Sequence, residues 1–575
     1  MQKGVFWWLA LLWVLVVTGC GSGATMQPET EAPLHDEPTV LDYNFGTDPL
    51  VLDPAFVNNR SSVEVVAQLF EGLTTLDPES AEPVPALATE WDVSEDGLTY
   101  TFKMRGDAFW VNQAGEPQGP VTADDVVYAI KRVCHPDSDA PLKQTLFVIK
   151  GCQEVNQTEG IPDIDSVAVR AVEQFIVEFA LSRPAPYFPA ILALPVAWPV
   201  PRGAVEGLGA AWSEPEQLLS DGPYLLTDLV PGTSLVLERN PAYYDALAVR
   251  IGRVNGYLVE DDVALTLYEA NRLDTTRVPP SQVQTLLGDA QLTHVPEPCT
   301  VAYGFTSVKS PVDSVRVRRA LSYAIDREWL VANVLGKGAM PARTFAPPTT
   351  FDVPPAGTST VMGDAAQAQR TLSEAGYPEG QGLPPIRLLH PEGDEHARVA
   401  AAVADMWRST LHIDVTVEAR PREAYLQTIE RTTLLEEAPH VWLLSWCGDY
   451  PDEHNWVYDL FHLGDATLLS QTVREDRERI TVRPGANHVR RAPGDFDELL
   501  EQTTTTLDPA ERQELYAEAE QFLTTDEVML VPLYHYTSTI LTKPWLTRTF
   551  FSSALSFKDW TIDMREKRTN GKDEG

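Results

Sequence analysis

The chain has 575 residues, of which 43% are hydrophobic, and it carries a formal net charge of −39 at pH 7. A single hydrophobic core stops growing near about 250–300 residues, so this length predicts two or three lobes. The acidic balance argues against a nucleic-acid partner and against a protein that lies flat on anionic lipid, because both need a basic surface.

The N-terminal segment begins with a basic residue, continues with an apolar run and ends with small residues. Lys3 precedes the run FWWLALLWVLVV from Phe6 to Val17, which is shorter than the ~20 residues that a membrane span needs. Small residues then lead to Cys20, the acceptor pattern of a bacterial lipoprotein. We expect residues 1–19 to be a removed signal peptide, Cys20 to be lipidated, and residues 20–39 to form a flexible tether. The alternatives are an ordinary secretory signal with an incidental cysteine and a retained membrane helix.

Strand and helix patterns alternate through the first half of the remaining chain. Apolar alternation in TYTFKMRG, around Phe102, predicts a half-buried strand. Thr122 and Asp125 form a capping box before a helical pattern that reaches Val133. The segment SLVLERN, with Leu235 and Leu237 on one face, predicts another strand.

The second half shows the same mixture. Asp313 is predicted to cap a long helix whose apolar face runs to Ile325. A helix at 397–411, a strand at 413–417, a helix at 510–522 and a strand at 528–534 follow. This mixture indicates α/β lobes rather than a sandwich, a barrel or a solenoid.

Four cysteines remain once Cys20 is assigned to lipid: Cys134, Cys152, Cys299 and Cys447. Their even number and the exported context favour disulfides, with three possible connectivities. The spacing of cysteine and histidine gives no zinc motif, so we expect no metal and no cofactor. An exported hydrolase is disfavoured because the chain has no nucleophile elbow and no phosphate-binding glycine loop.

Several blocks, read in order along the chain, resemble the peptide-binding class of extracellular solute-binding proteins, family 5, which supply ABC importers. The blocks that carry this resemblance are Leu69–Thr75, Leu87–Trp91 with Leu98–Phe102, Pro120–Val126, Pro184–Phe188, Asp221–Tyr224, Glu238–Tyr244, Val315–Leu321, Ala324–Arg327, Ala342–Pro348 and Lys543–Trp545. Each block taken alone also has a reading as a turn or a packing element, and it is the ordered set that is specific.

The resemblance implies an α/β fold built as a two-lobed periplasmic-binding-protein-like clamp of the class II type, with an additional α/β domain and a hinge. Its implied segments are lobe I at 40–67, 197–298 and 527–563, the extra domain at 68–196, lobe II at 299–526, and a polar tail at 564–575. The hinge is expected near Cys299 and Asp526. The resemblance also pairs Cys299 with Cys447, which leaves Cys134 for Cys152.

The block Trp446–Tyr450 is the implied ligand site. In peptide-binding relatives the aspartate two residues after the cysteine receives the α-ammonium group of a peptide, which places that role on Asp449; a turn cap ahead of Pro451 is the alternative. Trp446 and Tyr450 are expected to form walls for side chains. His396 matches a histidine that binds the peptide carboxylate, or it is an ordinary residue at a helix start.

Two other carboxylate-binding positions of tripeptide-binding relatives are occupied by Leu443 and Leu335, with Lys337 two residues beyond the second. A leucine does not pair with a carboxylate, so longer peptides or a ligand without a nearby carboxylate are favoured.

The sequence therefore predicts a monomeric substrate-binding lipoprotein that captures peptides by lobe closure and delivers them to permease subunits with cytoplasmic ATPases. The alternatives are a receptor of the same fold for a nickel chelate, haem or an oligosaccharide, and a sensory lipoprotein without transport.

Overall fold

The computed structural model describes most of the chain from residue 38 onward. The described ranges are 38–47, 50–336, 338–348, 350, 362–430, 432–462, 479–481, 495–550 and 555–570. The chain divides into the units 1–38 and 39–575, and the elements below belong to the second unit. The predicted signal peptide and Cys20 lie outside the described residues.

The described helices and strands alternate along the chain. The helices are α1 (Arg60–Leu69), α2 (Ala123–Cys134), α3 (Cys152–Asn156), α4 (Phe188–Leu192), α5 (Arg202–Leu208), α6 (Asp261–Glu269), α7 (Val315–Tyr323), α8 (Arg327–Leu330), α9 (Ala365–Glu374), α10 (Asp394–Leu411), α11 (Arg422–Glu430), α12 (His454–Phe461), α13 (Asp495–Thr505), α14 (Pro509–Gln521) and α15 (Met564–Asn570). The strands are β1 (Val40–Asn44), β2 (Thr74–Leu76), β3 (Pro83–Pro85), β4 (Ala88–Val93), β5 (Thr99–Met104), β6 (Phe109–Val111), β7 (Pro117–Pro120), β8 (Val169–Glu173), β9 (Ile176–Ala180), β10 (Tyr224–Val230), β11 (Ser234–Arg239), β12 (Arg253–Tyr257), β13 (Thr275–Arg277), β14 (Leu292–Phe305), β15 (Ala339–Pro341), β16 (Ile386–Pro391), β17 (Val415–Arg420), β18 (Thr432–Leu434), β19 (Val441–Cys447), β20 (Arg479–Thr481), β21 (Leu530–Thr542), β22 (Leu546–Thr547) and β23 (Thr561–Ile562).

The first sheet joins strands that are far apart in the sequence, in the order β1-β12-β11-β10. β1 runs parallel to β12, and the other two pairings are antiparallel. The C-terminal segment packs against this sheet, because the rings of Phe557 and Trp560 lie 5.0 and 6.1 Å from the ring of Tyr43. Residues near both ends of the described chain therefore build one region.

The second sheet is antiparallel, in the order β4-β5-β9-β8, and α2 contacts its strands β8 and β9. α2 begins at the predicted capping box of Thr122 and Asp125 and buries its apolar face. Its last residue, Cys134, forms a disulfide with Cys152 at the start of α3, with a Cα–Cα distance of 5.1 Å. The crosslink fixes two helices that lie next to this sheet.

The third sheet has the order β13-β21-β14-β19-β16-β17, and β15 also pairs with β21. Its strand β14 alternates between two hydrophobic clusters: Val301 and Tyr303 pack with Trp407, while Ala302 packs with Trp442. Both faces of this sheet are thus covered, as is typical where parallel strands contribute.

The long strands β14 and β21 run antiparallel, and their register shifts between Pro296 and Thr300. Pro296 and Pro298 lack an N–H group, so a regular ladder cannot continue through this segment. The register break lies at the place where the hinge is predicted. Directly beyond it, Cys299 forms a disulfide with Cys447, its cross-strand partner on β19.

Most predicted elements are confirmed. The strands around Phe102 and Leu235, the helix after Thr122 and the helices ending at Leu411 and Gln521 lie where the patterns indicate. The predicted strand at 413–417 is β17, and the predicted strand at 528–534 extends to Thr542.

One prediction about a helix start is wrong. α7 is capped by Ser314 rather than Asp313, and it ends at Tyr323. The Arg318 guanidinium binds the carbonyl oxygens of Val312 and Asp313, which holds this segment as a turn outside the helix. The chain then begins a separate short helix, α8, whose cap is Asp326.

Within the described ranges, no helix combines the length and the apolar character of a membrane span. The predicted boundaries of the lobes and of the extra domain stay predictions.

Candidate functional site

A cavity of about 520 Å³ lies between the region of the first two sheets and the end of β19. Most of its wall comes from residues 54–85, 193–198 and 555–559, while Pro298 and Asp449 contribute from the β14–β19 side. Phe70, Leu194 and Trp198 are among its apolar lining residues. A cavity with apolar walls and a few charged groups is the usual form of a ligand site.

Asp449 is positioned by the chain immediately before and after it. The disulfide at Cys447 ties the end of β19 to β14, and the Gly448 N–H donates to the Pro298 carbonyl at 2.8 Å. The Asp449 N–H donates to the Asn455 side-chain oxygen at 2.9 Å. The carboxylate is therefore carried on a backbone held from three directions.

The electrostatic environment of Asp449 disfavours its charge in the free protein. Burial, together with the negative charge of Asp459, raises the pKa of Asp449, while a hydrogen bond with Asn455 offsets part of the rise. A carboxylate in this condition gains most from an incoming cation, which supplies the countercharge that solvent no longer provides.

The turn after Pro451 does not use Asp449 as its cap. The carboxylate of Asp452 accepts the N–H of His454 at 2.8 Å and is also held by Arg512 in a buried ion pair. Among the described residues, no backbone N–H donates to the Asp449 carboxylate. The turn cap that the sequence offered as an alternative role for Asp449 is therefore formed by Asp452.

A second carboxylate of the cavity wall, Glu71, is fully engaged by the protein. The hydroxyls of Tyr243 and Tyr244 donate to its two oxygens at 2.7 and 2.6 Å, and the Lys558 ammonium lies 3.5 Å from one of them. The Glu71 N–H donates to a carboxylate oxygen of Asp221 at 3.3 Å, and Asp221 is itself buried. Glu71 is part of the scaffold of the wall.

Tyr450 is packed rather than presented to the cavity. Its ring stacks on Tyr187 at 5.4 Å, and its hydroxyl lies 2.8 Å from His454 Nδ1 and 2.9 Å from Asp459. The side chain is 5% exposed and does not line the cavity. The expectation that Tyr450 forms a wall for ligand side chains finds no support in this geometry.

Trp446 and His396 also lie outside the cavity lining. Trp446 is half-buried at the edge of the cluster around Trp442, and His396 lies in the first turn of α10. Burial lowers the pKa of His396. Of the four predicted ligand residues, the structure brings Asp449 to the cavity.

Five charged residues of the wall were not predicted from the sequence: Glu64, Glu71, Asp77, Lys558 and Asp559. Glu71 lies in Leu69–Thr75, one of the blocks that carry the family resemblance, and such a block also has a reading as a turn or a packing element. Lys558 and Asp559 lie in a C-terminal segment with no motif, so no local signal pointed to them.

A second cavity of about 530 Å³ runs along the outer face of α2. Several of its charged side chains are paired within the protein, as for Lys131 with Asp165 at 2.7 Å and Arg132 with Asp53 at 2.6 Å. No grouping of three or more potential metal ligands occurs in the part of the chain that the structure describes. The cavity beside Asp449 is therefore the candidate site.

Comparison with known proteins gives a consistent set of relatives. The model of the bacterial extracellular solute-binding proteins, family 5 (middle), matches residues 82–467. The oligopeptide-binding protein OppA of Bacillus subtilis (strain 168) is 29% identical over 544 residues, which are 92% of this chain and 94% of that protein. The periplasmic murein peptide-binding protein MppA of Escherichia coli (strain K12) is 31% identical over 509 residues, covering 87% and 88%.

Among solved structures, the unliganded open form of the murein tripeptide-binding protein MppA is similar, with a TM-score of 0.79 and 29% identity. The match covers 92% of this chain and 98% of that one. It confirms the predicted fold class, an α/β two-lobed clamp.

Proposed function

The chain belongs to family 5 of the bacterial extracellular solute-binding proteins, and we propose that it captures peptides in the cavity beside Asp449 and delivers them to an ABC importer. Members of this family are binding proteins rather than enzymes. The observation that carries the proposal is the position of Asp449, a carboxylate with a raised pKa at the edge of a large, mostly apolar cavity.

The role of Asp449 in this proposal is to bind the α-ammonium group of the peptide. An ammonium that enters an enclosed cavity loses hydration and needs a charge-assisted hydrogen bond in return. The apolar walls then take side chains of different shapes without discriminating strongly among them. The names of the relatives OppA and MppA, which bind oligopeptides and murein peptides, support a peptide ligand.

The peptide carboxylate has a poorer environment. Leu443 carries no charge that could bind a carboxylate. It is also buried in β19, away from the cavity. Among the described lining residues, Lys558 is the one cationic side chain, and it already lies next to Glu71. This favours peptides whose C-terminus remains in water over ligands with a fixed short length.

The cellular setting of the proposal follows from the N-terminal segment. Lipidation at Cys20 would hold a monomeric receptor at the membrane through the tether of residues 20–39. A tethered receptor meets its permease subunits, and their cytoplasmic ATPases, at a high local concentration.

The decisive experiment is calorimetry with a defined pentapeptide mixture and two variants. We expect Asp449→Ala to weaken binding by about 2–5 kcal/mol, the cost of leaving a buried charge without its partner. The matched control is Asp405→Ala, which removes an exposed aspartate of α10 that pairs with Arg408 at 2.8 Å and should leave affinity unchanged.

The same mixture with acetylated N-termini supplies an independent check. Acetylation removes the positive charge that Asp449 is proposed to bind, so the wild-type protein should lose affinity by a similar amount. Two results would overturn the assignment of Asp449. One is that the wild-type protein binds acetylated and free peptides equally well, and the other is that the Asp449→Ala protein binds free peptides as tightly as the wild type does.

A further inference from the structure

The cavity carries more negative than positive charge. Its described lining includes five carboxylates, Glu64, Glu71, Asp77, Asp449 and Asp559, and a single ammonium group, that of Lys558. This excess of negative charge attracts a cationic ligand only where a carboxylate is not already paired with donors of the protein.

Three of the five are satisfied. Glu64 pairs with Arg60 at 2.6 Å and accepts the hydroxyl of Tyr43 at 3.1 Å. Glu71 is held by two tyrosine hydroxyls, as described above. Asp77 accepts the backbone N–H groups of residues 79 and 80 at 2.9 and 2.8 Å, which lowers its pKa.

Asp559 differs from these three. It follows Lys558 in the C-terminal segment, it lines the same cavity as Asp449, and it is an exposed residue. Within the described ranges, no hydrogen bond or ion pair reaches its carboxylate. The neighbouring Lys558 ammonium lies 3.5 Å from Glu71, which draws it towards that residue.

The groups that face Asp559 are mainly negative. Partial burial raises its pKa, Lys558 opposes that rise, and Glu71, Asp245 and Asp77 add to it. An open carboxylate surrounded by other carboxylates is best stabilised by a cation that the protein itself does not supply.

We propose that Asp559 is a specificity-determining residue of this cavity, which binds a second positive charge on the ligand, so that the preferred peptides carry a lysine or arginine side chain in addition to the α-ammonium group. This inference rests on the proposed function. Asp449 and Asp559 both line this cavity, so a dicationic peptide can engage the two carboxylates at once. Acidic side chains are disfavoured in the same space, because they meet carboxylates without a free countercharge.

The test compares pentapeptides that differ by one charge. Each peptide has a free N-terminus, an amidated C-terminus and an alanine background, and lysine or acetyl-lysine is placed in turn at positions two to five. For the wild-type protein, we expect calorimetry to show at least about tenfold tighter binding of lysine than of acetyl-lysine at one or more positions, the order expected for one charge pair.

The Asp559→Asn variant should bring that ratio close to one, mainly because the lysine peptides bind more weakly. The matched control is Asp245→Asn, which removes an exposed carboxylate near Asp559 that does not line the cavity. This control should keep the ratio of the wild-type protein. A thermal midpoint equal to that of the wild type shows that each variant is folded.

Two outcomes overturn the inference while peptide binding itself stands: a ratio near one in the wild-type protein at all four positions, or a ratio that survives Asp559→Asn. If no peptide of the panel binds, then the proposed function fails, and the inference fails with it.

Discussion

Two sides of the cavity hold a carboxylate in different ways. On the Glu71 side, consisting of Glu71, Tyr243, Tyr244 and Lys558, donors from the protein surround the charge. On the Asp449 side, the backbone is fixed by a disulfide and by Asn455, while the carboxylate itself faces the negative Asp459. The first arrangement stabilises the fold, whereas the second leaves a carboxylate open for the ligand role that we propose.

The largest expected effect concerns the covalent support of the Asp449 side. The Cys299–Cys447 disulfide closes a loop with a sequence separation of 148 residues, whereas Cys134–Cys152 closes one of 18. Chain entropy predicts a loss of about 5 kcal/mol for replacing the first pair by serine and about 3 kcal/mol for the second. Guanidinium unfolding of the two double variants measures the difference.

The first double variant should also bind peptides more weakly than the second, because Cys447 lies two residues before Asp449. If the Cys134–Cys152 variant loses as much affinity as the Cys299–Cys447 variant, then the disulfide next to Asp449 has no special part in positioning it.

The next effect concerns the Glu71 side. Glu71→Ala leaves the buried hydroxyl of Tyr243 and the partly buried hydroxyl of Tyr244 without their acceptor. We therefore expect the free energy of unfolding to fall by about 2–4 kcal/mol. Glu71→Gln keeps an acceptor for one hydroxyl and should cost less than half as much. Equal unfolding midpoints for wild type and Glu71→Ala would contradict the scaffold role.

The elements could be predicted where their signals are local. Thr122 and Asp125 are three residues apart, and the capping box they form is present. The start of α7 was predicted one residue early, because Arg318 reaches back from inside the helix to hold Asp313 in a turn. A contact of this kind depends on a side-chain direction that periodicity does not encode.

The site could be predicted in part. Asp449 was found because it lies beside Cys447 in a block that resembles the family. Tyr450, its neighbour in sequence, turns away to stack on Tyr187, a residue more than 250 positions earlier. Asp559 comes to the cavity because the C-terminal segment packs on the first sheet. Such long-range packing has no signature within the segment itself.

The smallest expected effect is on the pH dependence of stability. It distinguishes the Asp449 side from the Glu71 side most directly. The pKa of Asp449 is raised in the folded protein, so the folded state takes up a proton more readily than the unfolded state. The stability contributed by this group is therefore present at low pH and is lost as the pH rises through its folded pKa. We expect Asp449→Asn to stabilise the unliganded protein at pH 7 by about 0.5–1 kcal/mol, and this gain to vanish on acidification.

Peptide affinity should change in the opposite sense. Binding of the α-ammonium group needs an ionised Asp449, and this ammonium stays charged between pH 7 and pH 4. Affinity of the wild-type protein should thus fall with decreasing pH, starting above the range in which an ordinary aspartate titrates, whereas the weaker binding by the Asp449→Asn protein should hold steady. Calorimetry across this range, paired with unfolding curves of the free proteins, measures both trends. A parallel loss of affinity in the two proteins would assign the titration to another group and would leave Asp449 no different in kind from Glu71.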